Sequence, residues 1–266
     1  MLTLLSIAFL LLIAYGLGSS LHSLQAGPVR EEYLRVVRAM RWWMVPLAVA
    51  GLVVVVTVYA VLITYGPTWM AWGWWSALGG EGNVNLGQTG NEGLFWSVTG
   101  WLIPVGVALA VPLLARQEEV WFRRGTENFT VLQTLARSLV FGLVHLLAGI
   151  PIGAALALTV SGLLFAGTYR VAYDRPRMPA LVAAPEINWG EYEAISDTGE
   201  RLAWLGERLS GFDAQVASLQ QRNRIRAEWE ADWDRARERA TDVAAAMHTV
   251  SNWCAIGLLL ALLAFT

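Results

Sequence analysis

Long apolar runs separated by short polar stretches divide this chain from end to end. A helix that crosses the hydrocarbon core of a bilayer needs about 20 consecutive apolar residues. Runs of that kind recur near Leu2 to Leu21, Trp43 to Tyr65, Leu94 to Leu114, Phe129 to Leu147, Ile150 to Tyr173 and Val243 to Phe265. The pattern predicts an all-α polytopic membrane protein with about six transmembrane helices. The fourth and fifth runs are separated only by Ala148 and Gly149, so they should form an antiparallel pair joined by a tight turn. The first run has no basic residue ahead of it, none occurring before Arg30, and no small-residue cleavage site after it, so it reads as a retained span.

Between the fifth and sixth runs lies the one soluble-looking segment, 174–242. Its first part, up to Asp197, carries Pro176, Pro179 and Pro185 among scattered acids and reads as irregular linker. From Leu202 the apolar positions Leu202, Leu205, Leu209, Phe212, Val216 and Leu219 alternate at steps of three and four, the seam of a coiled coil. Polar residues from Gln220 to Arg224 break the phase, and a second series follows through Ile225, Trp229, Trp233, Ala236, Ala240, Val243 and Met247. The economical reading is a helical hairpin with its tip near Arg222, whose second arm continues into the last span. One long helix that pairs with another subunit is the alternative. The expected organisation is therefore 1–173 for five transmembrane helices, 174–242 for the linker and hairpin insert, and 243–266 for the last transmembrane helix.

Composition agrees with lipid as the solvent. Hydrophobic residues make up 56% of the 266 residues and charged residues 15%, with a mean hydropathy of +0.46, whereas soluble domains carry roughly 25% charged residues. The net charge of −2 and the lack of a basic run with interleaved aromatics give no reason to expect a nucleic-acid partner. All 19 basic residues are arginines, and their distribution sets the orientation. Arg30, Arg35, Arg38 and Arg41 follow the first run and Arg116, Arg123 and Arg124 follow the third, while the loop from Pro67 to Gly93 holds Glu81 and Glu92 and no arginine. The positive-inside rule then puts both termini outside and the insert in the cytoplasm. The expected location is a bacterial inner membrane. The arginine-free loop also carries Trp69, Trp72, Trp74 and Trp75, which suit an interfacial belt.

Ionisable groups at membrane depth are costly, so each is a functional hypothesis. The candidates are Glu118 and Glu119 at the end of the third run, Arg137 and His145 in the fourth, and His248 and Asn252 in the sixth. Arg137 reads as snorkelling toward the interface. His248 and Asn252 are four apart and leave one helix face, as do Phe141 with His145 and Glu119 with Arg123. A carboxylate and an imidazole can together activate a water, while a second imidazole and an amide can stabilise an oxyanion. The plainer readings are interhelical hydrogen bonds for the histidines and the asparagine, and interfacial flanking charges for the glutamates. Two His and two Glu could hold zinc, but no HExxH occurs and the histidines lie on different helices. The lone Cys254 supplies neither a disulfide framework nor a thiolate site.

Taken in order, Glu118-Glu119-x-x-x-Arg123, Phe141-x-x-x-His145 and His248-x-x-x-Asn252 resemble the three-motif signature of the CAAX-protease and bacteriocin-processing family of glutamate-dependent intramembrane endopeptidases. The likeness covers about Leu94 to Leu258 without the insert. It implies Glu118 as the water-activating base assisted by His145, Glu119 held by Arg123, Phe141 in support, and His248 with Asn252 as the oxyanion hole. It implies no metal and no cofactor, and a membrane-associated peptide or protein as substrate. Arg124 standing before Gly125, and the insert itself, depart from the family pattern. Glu118 and His145 can reach one depth on an antiparallel pair only if the glutamate-bearing helix runs past Gly125. Were it to stop at Gly125, the offset would be about ten residues, or roughly 15 Å. Two other classes stay open: a catalytically silent scaffold that recruits a protein partner or a second copy through 202–247, and a small transporter.

Overall fold

The structure is a computed structural model that describes residues 2–80, 83–177, 179 and 189–265. Glu81 and Pro185, named above, lie outside the described residues, as do the side chains of Leu209 and Phe212. Among the described residues the secondary structure is entirely helical. The main elements are α1 (Leu2–Ser23), α2 (Gly27–Ala39), α3 (Met44–Tyr65), α4 (Trp74–Ala77), α5 (Leu94–Phe122), α6 (Val131–Val144), α7 (Ile152–Ala172), α8 (Trp189–Ala194) and α9 (Thr198–Ala264). Among the described residues, six helical stretches are long and apolar enough to cross a membrane: Thr3–Ser23, Met44–Tyr65, Leu94–Phe122, Val131–Ala148, Ile152–Ala172 and Leu219–Ala264. The chain is a multi-pass membrane protein.

It divides into two compact units, Met1–Tyr173 with Arg237–Thr266, and Asp174–Ala236. In the second unit the Trp229 indole donates to the Pro176 carbonyl at 3.4 Å and its ring lies 4.9 Å from that of Trp233. The hairpin expected from the phase break is absent, because α9 is one uninterrupted helix from Thr198 to Ala264. The reason is local. Gln220, Gln221, Arg222, Asn223 and Arg224 include no Gly or Pro, so a change of hydrophobic phase re-aims the apolar stripe without giving the backbone cause to turn.

In the membrane-spanning unit, α6 and α7 form the antiparallel pair expected from the short connection. A 3₁₀ turn, His145–Ala148, leads to Gly149 at φ +80°, a left-handed position that suits glycine, and Pro151 precedes α7. The two helices approach closely because glycines face the contact. A Cβ at Gly142 would stand 2.3 Å from the Ala155 carbonyl oxygen, and one at Gly162 would stand 3.0 Å from the Ser138 Cβ. Small interfacial residues of this kind let backbones pack where lipid supplies no hydrophobic drive. The membrane part of α9 uses the same device, with Ala240, Ala244, Ala245 and Ala246 fully buried.

Helix α5 contains Pro112, which has no N–H to donate to the carbonyl four residues back. That carbonyl, Ala108 O, instead accepts from the Trp253 indole of α9 at 2.8 Å. The bond satisfies a backbone group that lipid could not and pins α9 against α5 beside Asn252. Of the four tryptophans in the arginine-free loop, Trp69 and Trp72 are broadly exposed, whereas Trp75 is buried at 2%. Trp74 donates to the Leu146 carbonyl at 2.9 Å and packs against Phe9, so this half of the cluster closes the α6–α7 turn and does not face an interface.

Candidate active site

Helix α5 ends at Phe122, with Arg123 as its C-cap and Gly125 at φ +86°. Its last turn carries Glu118 and Glu119. Glu119 is fully buried, and its Oε1 lies 3.0 Å from Nδ1 of His248 on α9. Its other oxygen, Oε2, faces the Arg123 guanidinium at 3.6 Å, and Arg123 is itself 1% exposed. The guanidinium stands over the Phe141 ring at 4.9 Å and the Phe122 ring at 5.8 Å, which gives the buried cation two aromatic faces.

His248 is 4% exposed and held on every side. Its ring stacks on Phe165 with centroids 4.3 Å apart and planes 19° apart, and meets Phe141 edge-on at 5.7 Å. A carboxylate oxygen can only accept, so in the Glu119 contact Nδ1 of His248 is the donor. The ring's Nε2 faces Glu118 Oε2 at 3.9 Å. Glu118 Oε2 is buried and makes no hydrogen bond among the described residues. At 3.9 Å the two atoms face one another across a gap too wide for a direct hydrogen bond.

Glu118 and His145, which the resemblance joins, make no hydrogen bond or ion pair with each other. Helix α5 stops at Phe122, short of Gly125, and Phe141 stands next to His145 with ring centroids 5.0 Å apart. His145 uses Nδ1 to donate to the Phe141 carbonyl at 2.8 Å. It lines a cavity of about 90 Å³ together with His248, Asn252, Ser161 and Ser251. The structure therefore brings together Glu118, Glu119, Arg123 and His248 in one cluster, and His145, His248 and Asn252 around one cavity. His248 belongs to both. Among the described residues no group of three or more His, Cys, Asp or Glu is arranged to hold a metal ion.

Arg137 stands over the Phe122 ring at 5.3 Å, the ring that Arg123 also covers, and donates to the Trp121 carbonyl. Sequence reasoning missed an ion network that braces the site. Arg116 of α5 meets Asp242 at 2.9 Å, Glu238 at 2.6 Å and Glu32 at 3.3 Å. Arg35 of α2 also meets Asp242, at 3.0 Å, and Arg124 meets Glu238 at 2.8 Å. The signal available was Glu238 and Asp242 spaced four apart on the helix that leads to His248, opposite the arginines of two loops. A second brace joins the α5–α6 loop to α9, where Glu127 Oε1 accepts from Arg237 at 2.6 and 2.8 Å and its Oε2 accepts from the Tyr169 hydroxyl at 3.2 Å. Burial pushes the Glu127 carboxyl up, but a backbone hydrogen bond and the Arg237 guanidinium outweigh it and hold the group below the usual glutamate range. Phe165, which fixes the His248 ring plane, was likewise unread. No family model, no curated protein and no solved structure matches this chain.

Proposed function

We propose that the chain is a glutamate-dependent intramembrane endopeptidase that hydrolyses a peptide bond of a membrane-associated protein or peptide, as the three-motif resemblance implies. The observation that carries the reading is the pair formed by Glu118 Oε2 and His248 Nε2, 3.9 Å apart, with the imidazole fixed from behind by Glu119. A water donating one hydrogen to each acceptor bridges such a gap at ordinary hydrogen-bond lengths of about 2.8 Å. Its oxygen attacks the scissile carbonyl carbon while its proton passes to Glu118. The tetrahedral oxyanion is assigned to the Asn252 amide, a donor that lines the same cavity as His248. The C–N bond then breaks as Glu118 returns the proton to the departing amine nitrogen.

Two roles differ from those the resemblance implies. His248 works beside the carboxylates, and His145 lines the adjoining cavity with Asn252. Glu119 and Arg123 act as positioning residues that hold the imidazole and one another. The test is to purify wild type, Glu118→Gln and His248→Asn in detergent and to follow cleavage of a pool of membrane-anchored peptides by mass spectrometry. Cleavage by wild type that falls at least a hundredfold in both variants supports the reading. Cleavage that survives Glu118→Gln sinks it, and a wild type that cuts nothing in the pool leaves the scaffold class ahead.

A further inference from the structure

A groove of about 550 Å³ opens on the side of the membrane-spanning unit, between the start of α3 and the second half of α7. Leu47, Leu163, Leu164, Gly167 and Val171 make its wall apolar, and Arg41 is the one charged residue that lines it. Arg41 lies just ahead of α3, at the end of the unit where α7 finishes. The α7 residues that line the groove run from Leu163 to Ala172, about 13 Å at 1.5 Å per residue. That is close to the roughly 15 Å depth of one leaflet's hydrocarbon.

Arg41 is exposed, and one of its terminal nitrogens donates to the Arg38 and Met40 carbonyls at 2.9 and 3.1 Å. Unlike Arg35 and Arg116, which are occupied by Asp242 and Glu238, Arg41 has no carboxylate within ion-pair distance among the described residues. Trp43, 38% exposed, lines the same end of the groove. Indoles settle at the headgroup level of a bilayer. The groove thus combines an apolar channel one leaflet deep with a single uncompensated cation at its outer end.

We infer that this groove is a binding site for an anionic phospholipid, with an acyl chain along α7 and the headgroup phosphate at Arg41. A zwitterionic lipid brings its own cation to the same place and gains less from the guanidinium. The inference does not depend on the protease reading, since it concerns a surface outside the carboxylate cluster. Leu164 connects the two, because it also lines the cavity that holds His145, His248 and Asn252.

The test titrates the full chain in detergent with phosphatidylglycerol and with phosphatidylcholine, reading bound lipid by native mass spectrometry. The wild type should favour phosphatidylglycerol by about fivefold, the effect of one basic group near a membrane surface. Arg41→Gln should remove that preference and leave phosphatidylcholine unchanged. Gly167→Leu should lower retention of both lipids, since a Cβ at Gly167 meets nothing within 4 Å and the new side chain can enter the groove without displacing protein. If Gly167→Leu fails to fold, the headgroup preference in Arg41→Gln alone decides. Equal retention of the two lipids by wild type overturns the inference. So does unchanged lipid retention in Gly167→Leu with loss of peptide cleavage, which would mark the groove as a substrate path past Leu164.

Discussion

Removing Glu119 and neutralising Glu118 should have opposite consequences, although the two residues are adjacent. Glu119→Ala leaves the Arg123 guanidinium, 1% exposed, without the one carboxylate within 4 Å of it among the described residues, and also strips His248 Nδ1 of its acceptor. Breaking a buried pair by deleting one partner costs about 3–5 kcal/mol, because the remaining charge cannot be solvated. The Phe141 and Phe122 rings over the guanidinium offset part of this, at roughly 0.5–2 kcal/mol for a cation–π contact, and do not cancel it. The folded-to-unfolded ratio should fall by roughly two to three orders of magnitude. Glu118 is 32% exposed on its side chain and has one long contact at 3.9 Å, so Glu118→Gln should stay within about 0.5 kcal/mol of wild type while abolishing cleavage. The assay is reversible unfolding in mixed micelles with increasing sodium dodecyl sulfate, followed by tryptophan fluorescence. The double variant Glu119→Ala with Arg123→Met removes both charges and should regain most of the loss, since replacing a buried pair by apolar groups is often neutral. A Glu119→Ala cost below about 1 kcal/mol, or a Glu118→Gln cost larger than it, would refute the division between a structural and a reacting carboxylate.

Trp253→Phe should cost about 0.6–1.7 kcal/mol by orphaning the Ala108 carbonyl, and less in a Pro112→Ala background, where the restored N–H takes over. A double-mutant cycle with no coupling would contradict this. Gly142→Ala should destabilise by about 1–3 kcal/mol, because its Cβ would stand 2.3 Å from the Ala155 oxygen, whereas Gly167→Ala, with open space around it, should be neutral or stabilising in the same unfolding assay. The Glu127 carboxyl is held below its ordinary value when folded, so its stabilising contribution is complete above the unfolded pKa of about 4.3 and is lost as pH falls through the lower folded value. The stability gap between wild type and Glu127→Gln should therefore be constant above about pH 5.5 and narrow below about pH 4. A gap that widens on acidification would invert the argument.

Hydropathy and spacing were enough for the spans, because a membrane helix must satisfy its backbone within itself and show lipid an apolar surface along its own length. The antiparallel α6–α7 pair was legible for the same local reason, two residues being too few for any other connection. The motif residues could be placed on their helices, and Glu119 and Arg123 do face one another as an i, i+4 pair must. Local pattern misled at Gln220 to Arg224, where a phase break resembled a turn although every residue there is compatible with helix.

What only the tertiary structure decided is which imidazole meets which carboxylate. The resemblance pairs Glu118 with His145, but α9 packs on α5 so that His248 hydrogen-bonds Glu119 and faces Glu118 at 3.9 Å. That packing depends on contacts between residues more than a hundred positions apart: the Trp253 bond to the carbonyl freed by Pro112, the alanines buried along α9, and Asp242 and Glu238 against Arg116. Each is a meeting of two surfaces, and no period along one segment encodes where another segment will lie. The sequence by itself determined a membrane protein of six spans with polar groups at set heights on their helices. The packing of α9 on α5 determined which of those groups share a site.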